Sequence, residues 1–192
     1  MKTVCVYLGA QLGNEPEYRE AAILLGKKIA ACGFTLVYGG SSFGMMGLLA
    51  NTVKEYGGRV VGIITKHLIE QEKPLDILDE LHVVESMQQR KAMMQKISDM
   101  FVVMPGGLGT LEEAIETWNA IKIGEFIKPI GFLNSKGYFD GLFSFINSCG
   151  RAGFLSSRVI HIPVSHSSIE LLWNEMLNLH TAAHSVFVSE VD

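Results

Sequence analysis

Short apolar runs alternate with longer amphipathic stretches along this chain, and that alternation limits the folds it can adopt. The apolar runs cover residues 3–8, 34–38, 59–64, 81–85, 100–104, 129–133 and 159–163. Several are continuous and rich in β-branched or aromatic residues, as in Phe101-Val102-Val103-Met104. Uninterrupted runs of this kind are typical of strands buried on both faces, as in a parallel sheet covered by helices.

The stretches between these runs carry helical patterns. Their apolar residues recur at helical spacing over residues 15–32, 86–98, 110–123, 137–150 and 167–180. Strand–helix alternation implies right-handed crossovers between parallel strands. We therefore predict a Rossmann-like, doubly wound α/β fold, with a mostly parallel sheet of about seven strands and helices on both faces. A length of 192 residues fits a single domain over 1–192, with 180–192 as a tail.

Charge and cysteine usage narrow the classes of partner and compartment. The formal net charge of −4 argues against nucleic-acid binding through a basic surface. Cys5, Cys32 and Cys149 are odd in number and widely spaced, which fits free thiols in a reducing compartment. The apolar run after Met1-Lys2 is too short for a signal peptide, and no stretch is long enough to span a bilayer. We expect a cytoplasmic protein that binds neither nucleic acid nor membrane.

Two glycine-rich segments follow predicted strands. One covers residues 39–47 and the other residues 105–113, Pro105-Gly106-Gly107-Leu108-Gly109-Thr110-Leu111-Glu112-Glu113. Doubly wound sheets bind ligands outside the carboxyl ends of their strands, and glycines there let backbone N–H groups approach an anion. Neither segment matches the dinucleotide-binding or P-loop patterns. The pair of segments predicts a phosphate-binding site of another kind.

The spacing of Thr110 and Glu113 has two interpretations. A threonine three residues before a glutamate can form a capping box, in which both side chains bind the backbone at the helix start. Alternatively, Thr110 and the amides of residues 106–109 hold a phosphate while Glu113 faces the ligand, where a carboxylate can stabilise an oxocarbenium-like centre or activate water. Glu112 and Glu116 fit a solvated acidic first turn.

Arg90 is the most informative charged residue. Met87, Met94 and Ile97 lie on the same helical stripe, so Arg90 interrupts an apolar face, whereas Lys91 and Gln95 can point away from it. The arginine either extends from the core edge into solvent or is held in a buried site for phosphate or purine. The histidines predict no metal site, because His180 and His184 lack a third nearby ligand.

Residues 105–113 resemble the P-G-G-x-G-T-x-x-E signature of the Lonely Guy family, the cytokinin riboside 5′-monophosphate phosphoribohydrolases, which are often labelled lysine decarboxylases. Residues 38–47 resemble the family's Y-G-G-G-x-x-G-L-M-G turn, and Met87-Gln88-Gln89-Arg90-Lys91 its M-x-x-R-K helix start. Further similarity at 128–134, 137–139 and 153–154 extends the resemblance from about residue 3 to about residue 175 in unbroken order.

The resemblance implies a homodimer that hydrolyses the N-glycosidic bond of adenine-type nucleoside 5′-monophosphates, without a cofactor or metal, to free base and ribose 5-phosphate. By position, Arg90 and Glu113 match the catalytic pair of the family. The resemblance also implies a set of substrate-binding residues, of which the last four form the phosphate turn: Gly39, Gly40, Met87, Lys91, Gly106, Gly107, Gly109 and Thr110.

The sequence departs from the family pattern around the expected base pocket. Leu8-Gly9-Ala10-Gln11 stands where the family usually has C-G-S-S, Ser41 replaces a glycine, and residues 119–127 differ from the common run. Two other functions therefore stay open: a carrier of a nucleotide or other phosphate ligand on the same fold, and a nucleosidase with broad 5′-monophosphate specificity. A lysine decarboxylase would usually need pyridoxal phosphate on a Schiff-base lysine, and nothing in the sequence marks such a lysine.

Overall fold

A single parallel sheet of seven strands runs through the chain. The computed structural model describes the backbone of residues 2–189 and the side chains of residues 2–182. Its strand order is β4-β3-β2-β1-β5-β6-β7, and all six pairings are parallel. The strands are β1 (Thr3–Tyr7), β2 (Thr35–Tyr38), β3 (Arg59–Thr65), β4 (Glu80–Val84), β5 (Met100–Val103), β6 (Ile130–Leu133) and β7 (Val164–His166).

Helices cover both faces of this sheet, as predicted. Alternate residues of β1 point to opposite faces: Val4 and Val6 enter one core cluster, Cys5 and Tyr7 the other. The first cluster includes Leu25, Leu49 and Trp173, and the second includes Met94 and Trp118. The helices are α1 (Pro16–Ala31), α2 (Gly44–Glu55), α3 (Lys66–Ile69), α4 (Met87–Ile97), α5 (Leu108–Ile123), α6 (Asp140–Arg151), α7 (Ser157–Ile160) and α8 (Ile169–Ser189).

Three predictions of secondary structure are wrong. The apolar run 159–163 is not a strand: Val159 and Ile160 belong to α7, and the seventh strand begins one residue after Pro163. Periodicity cannot separate a short strand from a short buried helix, and here the Trp118 indole donates to the Val159 carbonyl at 2.9 Å, which holds the segment as a helix. The last helix does not end at residue 180 but continues to Ser189. The segment at Gly44–Gly47, interpreted as a glycine turn, is the first turn of α2.

Because α8 continues to Ser189, positions 180 and 184 of the predicted histidine pair both lie within this helix. His180 lies within α8 and is buried, instead of belonging to a tail after the last helix. The side chain of His184 lies outside the described residues. Among the side chains that the structure describes, no group of three histidine, cysteine or acidic residues is arranged to hold a metal ion.

The direction of strand succession reverses at β1, which lies between β2 and β5. The chain leaves β1 and β5 toward opposite faces of the sheet, and the crevice between the two loops is where sheets of this class bind ligands. The two loops also contact each other closely: the Gly9 N–H donates to the Pro105 carbonyl at 3.2 Å. A Cβ at Gly106 would lie 2.8 Å from the Gly9 nitrogen, so only glycine fits this crossing.

Candidate active site

A cavity of about 520 Å³ opens at this reversal point. This volume lies within the usual range for small-molecule sites. One side is formed by the loop after β1 and by the start of α5, and Arg90 and Glu113 lie at its base. The cavity also has an apolar part, to which residues of several elements contribute: Leu8, Met45, Met46, Leu68 and Met87.

The guanidinium of Arg90 is buried in the protein interior. The residue is only 6% exposed, so it does not extend into solvent from the core edge. Its Nε donates to the Ile63 carbonyl at 2.9 Å, and Nη1 lies 3.3 Å from Oε1 of Glu113. A buried guanidinium must be paired and hydrogen-bonded to be tolerated, and these two partners supply that. The structure thus buries Arg90 at the cavity, and its role toward a ligand stays a prediction.

The guanidinium of Arg90 packs directly against the backbone of Gly39. A Cβ added at Gly39 would collide with Nη2 of Arg90 and would lie 3.0 Å from the Met46 sulfur. Gly39 and Gly40 are both buried, and neither lines the cavity itself. Gly39 therefore supports the site from behind Arg90. Gly40, which has a φ of 79°, lies against Ile63 and Ile64 of β3.

Glu113 is the buried carboxylate of the cavity. Only 8% of the residue is exposed, and burial raises the pKa of its carboxyl group to about 7. Arg90 lowers this pKa and the neighbouring Glu112 raises it, but burial is the largest influence. A carboxyl group that changes charge near neutral pH is suited to acid–base and electrostatic roles.

The capping box interpretation of Thr110 and Glu113 is wrong. Helix α5 begins at Leu108, with Gly107 as its N-cap and no side chain in the capping position. Thr110 is therefore the third helical residue, and Glu113 turns to Arg90 instead of the backbone. The first N–H groups of a 16-residue helix are left free of a side-chain cap at the cavity, where the helix dipole favours an anion.

Lys91 does not occupy the position that the sequence suggested. It neither points away into solvent nor lines the cavity, because its ammonium is held between α4 and α5. Nζ lies 2.6 Å from Glu112 and 2.5 Å from Glu116, and these hydrogen bonds raise the pKa of the Lys91 ammonium. The two glutamates consequently form a clamp with Lys91, and direct contact between Lys91 and a ligand is not supported by this geometry.

The structure brings together most of the other residues that the sequence singled out. The cavity is lined by Met87, Gly106, Gly107, Gly109 and Thr110 as well as by Arg90 and Glu113. It is also lined by residues that sequence reasoning missed. Leu68 and Glu72 lie in the segment after β3, where the sequence shows no motif. Tyr138 lies in a segment that resembles the family, but the sequence assigned it no role. Tyr18, on α1, also lines the cavity.

The altered corner at Ala10-Gln11 borders the same cavity. A Cβ at Gly44 would collide with the Ala10 carbonyl oxygen, so the loop after β1 rests directly on the start of α2. Gln11 is exposed at the cavity wall. A larger and more open groove, about 750 Å³, lies between α6 and α7, but its charged residues, such as Asp140 and Arg151, are exposed. The buried charges therefore distinguish the cavity at the reversal point.

Comparison with known proteins agrees with this site. A family described as "Possible lysine decarboxylase" matches residues 46–176. A cytokinin riboside 5′-monophosphate phosphoribohydrolase of Arabidopsis thaliana is 42% identical over 171 residues, 89% of this chain and 80% of the relative. A probable enzyme of the same name from Oryza sativa subsp. japonica is 40% identical over 175 residues, 91% of this chain and 83% of the relative.

Solved structures with the same fold include proteins of another description. The molybdenum cofactor carrier protein of Chlamydomonas reinhardtii superposes with a TM-score of 0.72 at 21% identity, covering 93% of this chain and 97% of that one. A molybdenum cofactor binding protein of Rippkaea orientalis gives 0.66 at 23% identity, covering 91% and 97%. At such identities the likeness concerns the fold alone.

The description as a decarboxylase does not suit the cavity. No lysine is among the residues that line it, and Lys91, which follows Arg90, has a raised pKa where a Schiff-base lysine needs a lowered one. The identities of 42% and 40% extend over 89% and 91% of this chain. The chain belongs to the Lonely Guy family, the cytokinin riboside 5′-monophosphate phosphoribohydrolases.

Proposed function

We propose that this chain hydrolyses the N-glycosidic bond of adenine-type nucleoside 5′-monophosphates, giving the free base and ribose 5-phosphate. One observation carries the proposal: a buried carboxylate, Glu113, faces a buried guanidinium, Arg90, beside an uncapped helix start in one cavity. A simple phosphate carrier needs the helix start but has no need of the costly buried pair. The names of the relatives agree with this reaction.

The phosphate of the substrate binds at the start of α5. The amides at Gly106, Gly107 and Gly109 and the Thr110 hydroxyl supply hydrogen-bond donors, and the helix dipole adds a favourable field. These groups lie away from the bond that breaks, so their binding energy holds the ribose in place for the reaction. The base then extends toward the apolar part formed by Met45, Met46 and Leu68.

Glu113 acts at the anomeric carbon. As the bond between this carbon and the base nitrogen breaks, positive charge develops on the ribose, and an ionised carboxylate stabilises it or guides water to it. Water supplies the new oxygen on the ribose and a proton for the departing base, so no cofactor is needed. Arg90 lowers the pKa of Glu113 and so favours its ionised form, and Arg90 itself lines the cavity beside the phosphate turn.

Glu113→Gln tests this assignment. The variant keeps the size of the side chain but cannot ionise, so release of adenine from AMP should fall at least 100-fold while the folded state is retained. Unchanged release would overturn the catalytic role of Glu113. The measurement is chromatography of free base after incubation with AMP, GMP, CMP, UMP and isopentenyl-adenosine monophosphate.

The same experiment separates the competing functions. Release of base from the adenine nucleotides alone supports the proposal, and release from several nucleotides indicates a broad nucleosidase. Tight binding without release from any nucleotide would indicate a carrier, the kind of protein that the fold relatives of Chlamydomonas and Rippkaea are named for.

We further propose that the active form is a homodimer. Every residue of α6 stays at least partly exposed, although the helix is amphipathic, and Phe145 is 65% exposed. Phe154, which follows α6, and Leu108, at the start of α5, are 83% and 87% exposed. Exposed apolar side chains are typical of interfaces, and a second copy that packs on α6 would bury those of this helix. Phe145→Asp should convert a dimer to a monomer in light scattering, whereas a monomeric parent protein would overturn this proposal.

The setting that we propose is the cytoplasm. Cys5, Cys32 and Cys149 are all free thiols, in agreement with a reducing compartment. Within residues 2–189, none of the helices combines the length and apolar character needed to cross a membrane.

A further inference from the structure

The Tyr138 side chain contacts the phosphate turn at the cavity. Its hydroxyl donates a hydrogen bond to the Gly106 carbonyl at 2.7 Å, although the two residues are 32 positions apart. The residue is 43% exposed, so the contact is not a by-product of core packing. It joins the loop after β6 to the loop after β5.

The loop that carries Tyr138 is held firmly. The Asn134 side chain accepts from the Phe139 N–H and donates to Asp140, both at 2.7 Å. Phe139 is 1% exposed and anchors the residue next to Tyr138 in the core. The Tyr138 ring also meets the Tyr18 ring edge-on, with centroids 5.6 Å apart. The hydroxyl is thus presented at a defined position.

The bonded carbonyl belongs to the peptide between Gly106 and Gly107. Gly106 and Gly107 lack side chains, and glycine pairs can adopt several backbone conformations at low cost. A trans peptide is planar, so the Gly106 C=O and the Gly107 N–H point in opposite directions. Fixing the carbonyl therefore fixes the direction of the Gly107 N–H.

We propose that Tyr138 is a positioning residue that locks the Gly106–Gly107 peptide in the orientation required for binding the 5′-phosphate. This inference rests on the proposed function, because the Gly107 N–H is one of the donors assigned to the phosphate. Tyr138 itself touches the backbone and acts on the substrate only through that peptide.

The test is Tyr138→Phe, which keeps the ring and its contact with Tyr18 but removes the hydroxyl. A single hydrogen bond of this kind corresponds to about a three- to tenfold change in equilibrium constant. We expect the Kd for ribose 5-phosphate, measured by calorimetry, and the KM for AMP to rise by that factor, with kcat within about twofold. Binding of adenosine, which lacks the phosphate, should change less than twofold.

Tyr56→Phe is the matched control. Tyr56 is 51% exposed at the end of α2, remote from the cavity, and its variant loses the same hydroxyl without effect on either ligand. Equal Kd values for ribose 5-phosphate in Tyr138→Phe and the parent protein would overturn the inference. So would a loss of the same size for adenosine and AMP, which would indicate a general structural role.

Failure of the proposed function gives a different result. If the parent protein binds ribose 5-phosphate but releases no base from any nucleotide, the reaction is wrong while the comparison of binding constants still tests Tyr138. The ratio of the AMP and adenosine constants is measured on folded protein, so it decides the question even if Tyr138→Phe lowers the melting temperature.

Discussion

Arg90 Nη1 and Glu113 Oε1 lie 3.3 Å apart in a site where the two side chains are only 8% and 10% exposed. A cation at this distance favours the ionised carboxylate, yet burial dominates and the pKa of Glu113 is raised to about 7. The pair therefore changes its charge near neutral pH. Five further charged or titratable groups influence Glu113 or are influenced by it: Lys91, Glu112, Glu116, Tyr7 and Cys5.

The activity should depend on pH in a defined direction. If ionised Glu113 is required, kcat/KM for AMP rises as the pH passes through about 7 and levels off above it. The measurement is the initial rate of base release between pH 5.5 and 9. Binding of ribose 5-phosphate to Glu113→Gln over the same range reports the titration of the phosphate itself. A kcat/KM that stays constant or falls between pH 6 and 8 would contradict the prediction.

The stability of the protein should reveal the same carboxyl group. Because the pKa of Glu113 is raised on folding, the folded state retains a proton between pH 4.5 and about 7 that the unfolded state loses. The favourable contribution is complete below pH 4.5 and is lost as the pH rises through 7. Glutamine cannot ionise, so the melting temperature of Glu113→Gln minus that of the parent protein should increase from pH 5 to pH 8. A difference that does not vary with pH would rule out this titration.

Gly39→Ala should displace Arg90 and so lower the activity, although Gly39 does not line the cavity. The new Cβ would occupy the place of Arg90 Nη2, so the guanidinium must move and its alignment with Glu113 is lost. We expect turnover of AMP to fall at least tenfold and the free energy of unfolding to fall by about 1–3 kcal/mol. Normal turnover in Gly39→Ala would show that the position of Arg90 is not critical.

Lys91→Met distinguishes a structural clamp from a substrate contact. Without the ammonium, Glu112 and Glu116 repel each other across one helical turn, and the free energy of unfolding should fall by about 1–3 kcal/mol. The KM for AMP should stay within about twofold, because Lys91 does not line the cavity. Lys122→Met, at the exposed end of α5, should have neither effect. A large rise in KM at unchanged stability would instead support the substrate-binding role that the family resemblance implies for Lys91.

The fold was predictable because its signals are local. Strands such as Met100–Val103 are buried on both faces and therefore appear as continuous apolar runs. The phosphate turn and the importance of Arg90 were also visible, since glycine clusters and a charge on an apolar stripe are unusual. The seventh strand was misplaced because it has only three residues, too few to show the alternating pattern of a strand.

Other features depend on contacts between distant elements. Lys91 appeared to be a surface residue of α4, and only the carboxylates of α5 explain its burial. The start of α5 was misassigned because glycine is a poor helix former, yet Gly109 lies inside the first turn. Tyr138 and Tyr18 are in contact at the cavity although they lie far apart in the sequence, and no local pattern predicts such a contact.

The contact between Gly39 and Arg90 has a consequence for how related sequences can diverge. Because a side chain at position 39 and a guanidinium at position 90 compete for the same space, neither residue can change independently while the site is kept. A lineage that gives up the arginine releases position 39 to other residues, and a lineage that first enlarges position 39 loses the reaction. Glycine at position 39 is thus a condition for keeping the arginine at position 90 in its place.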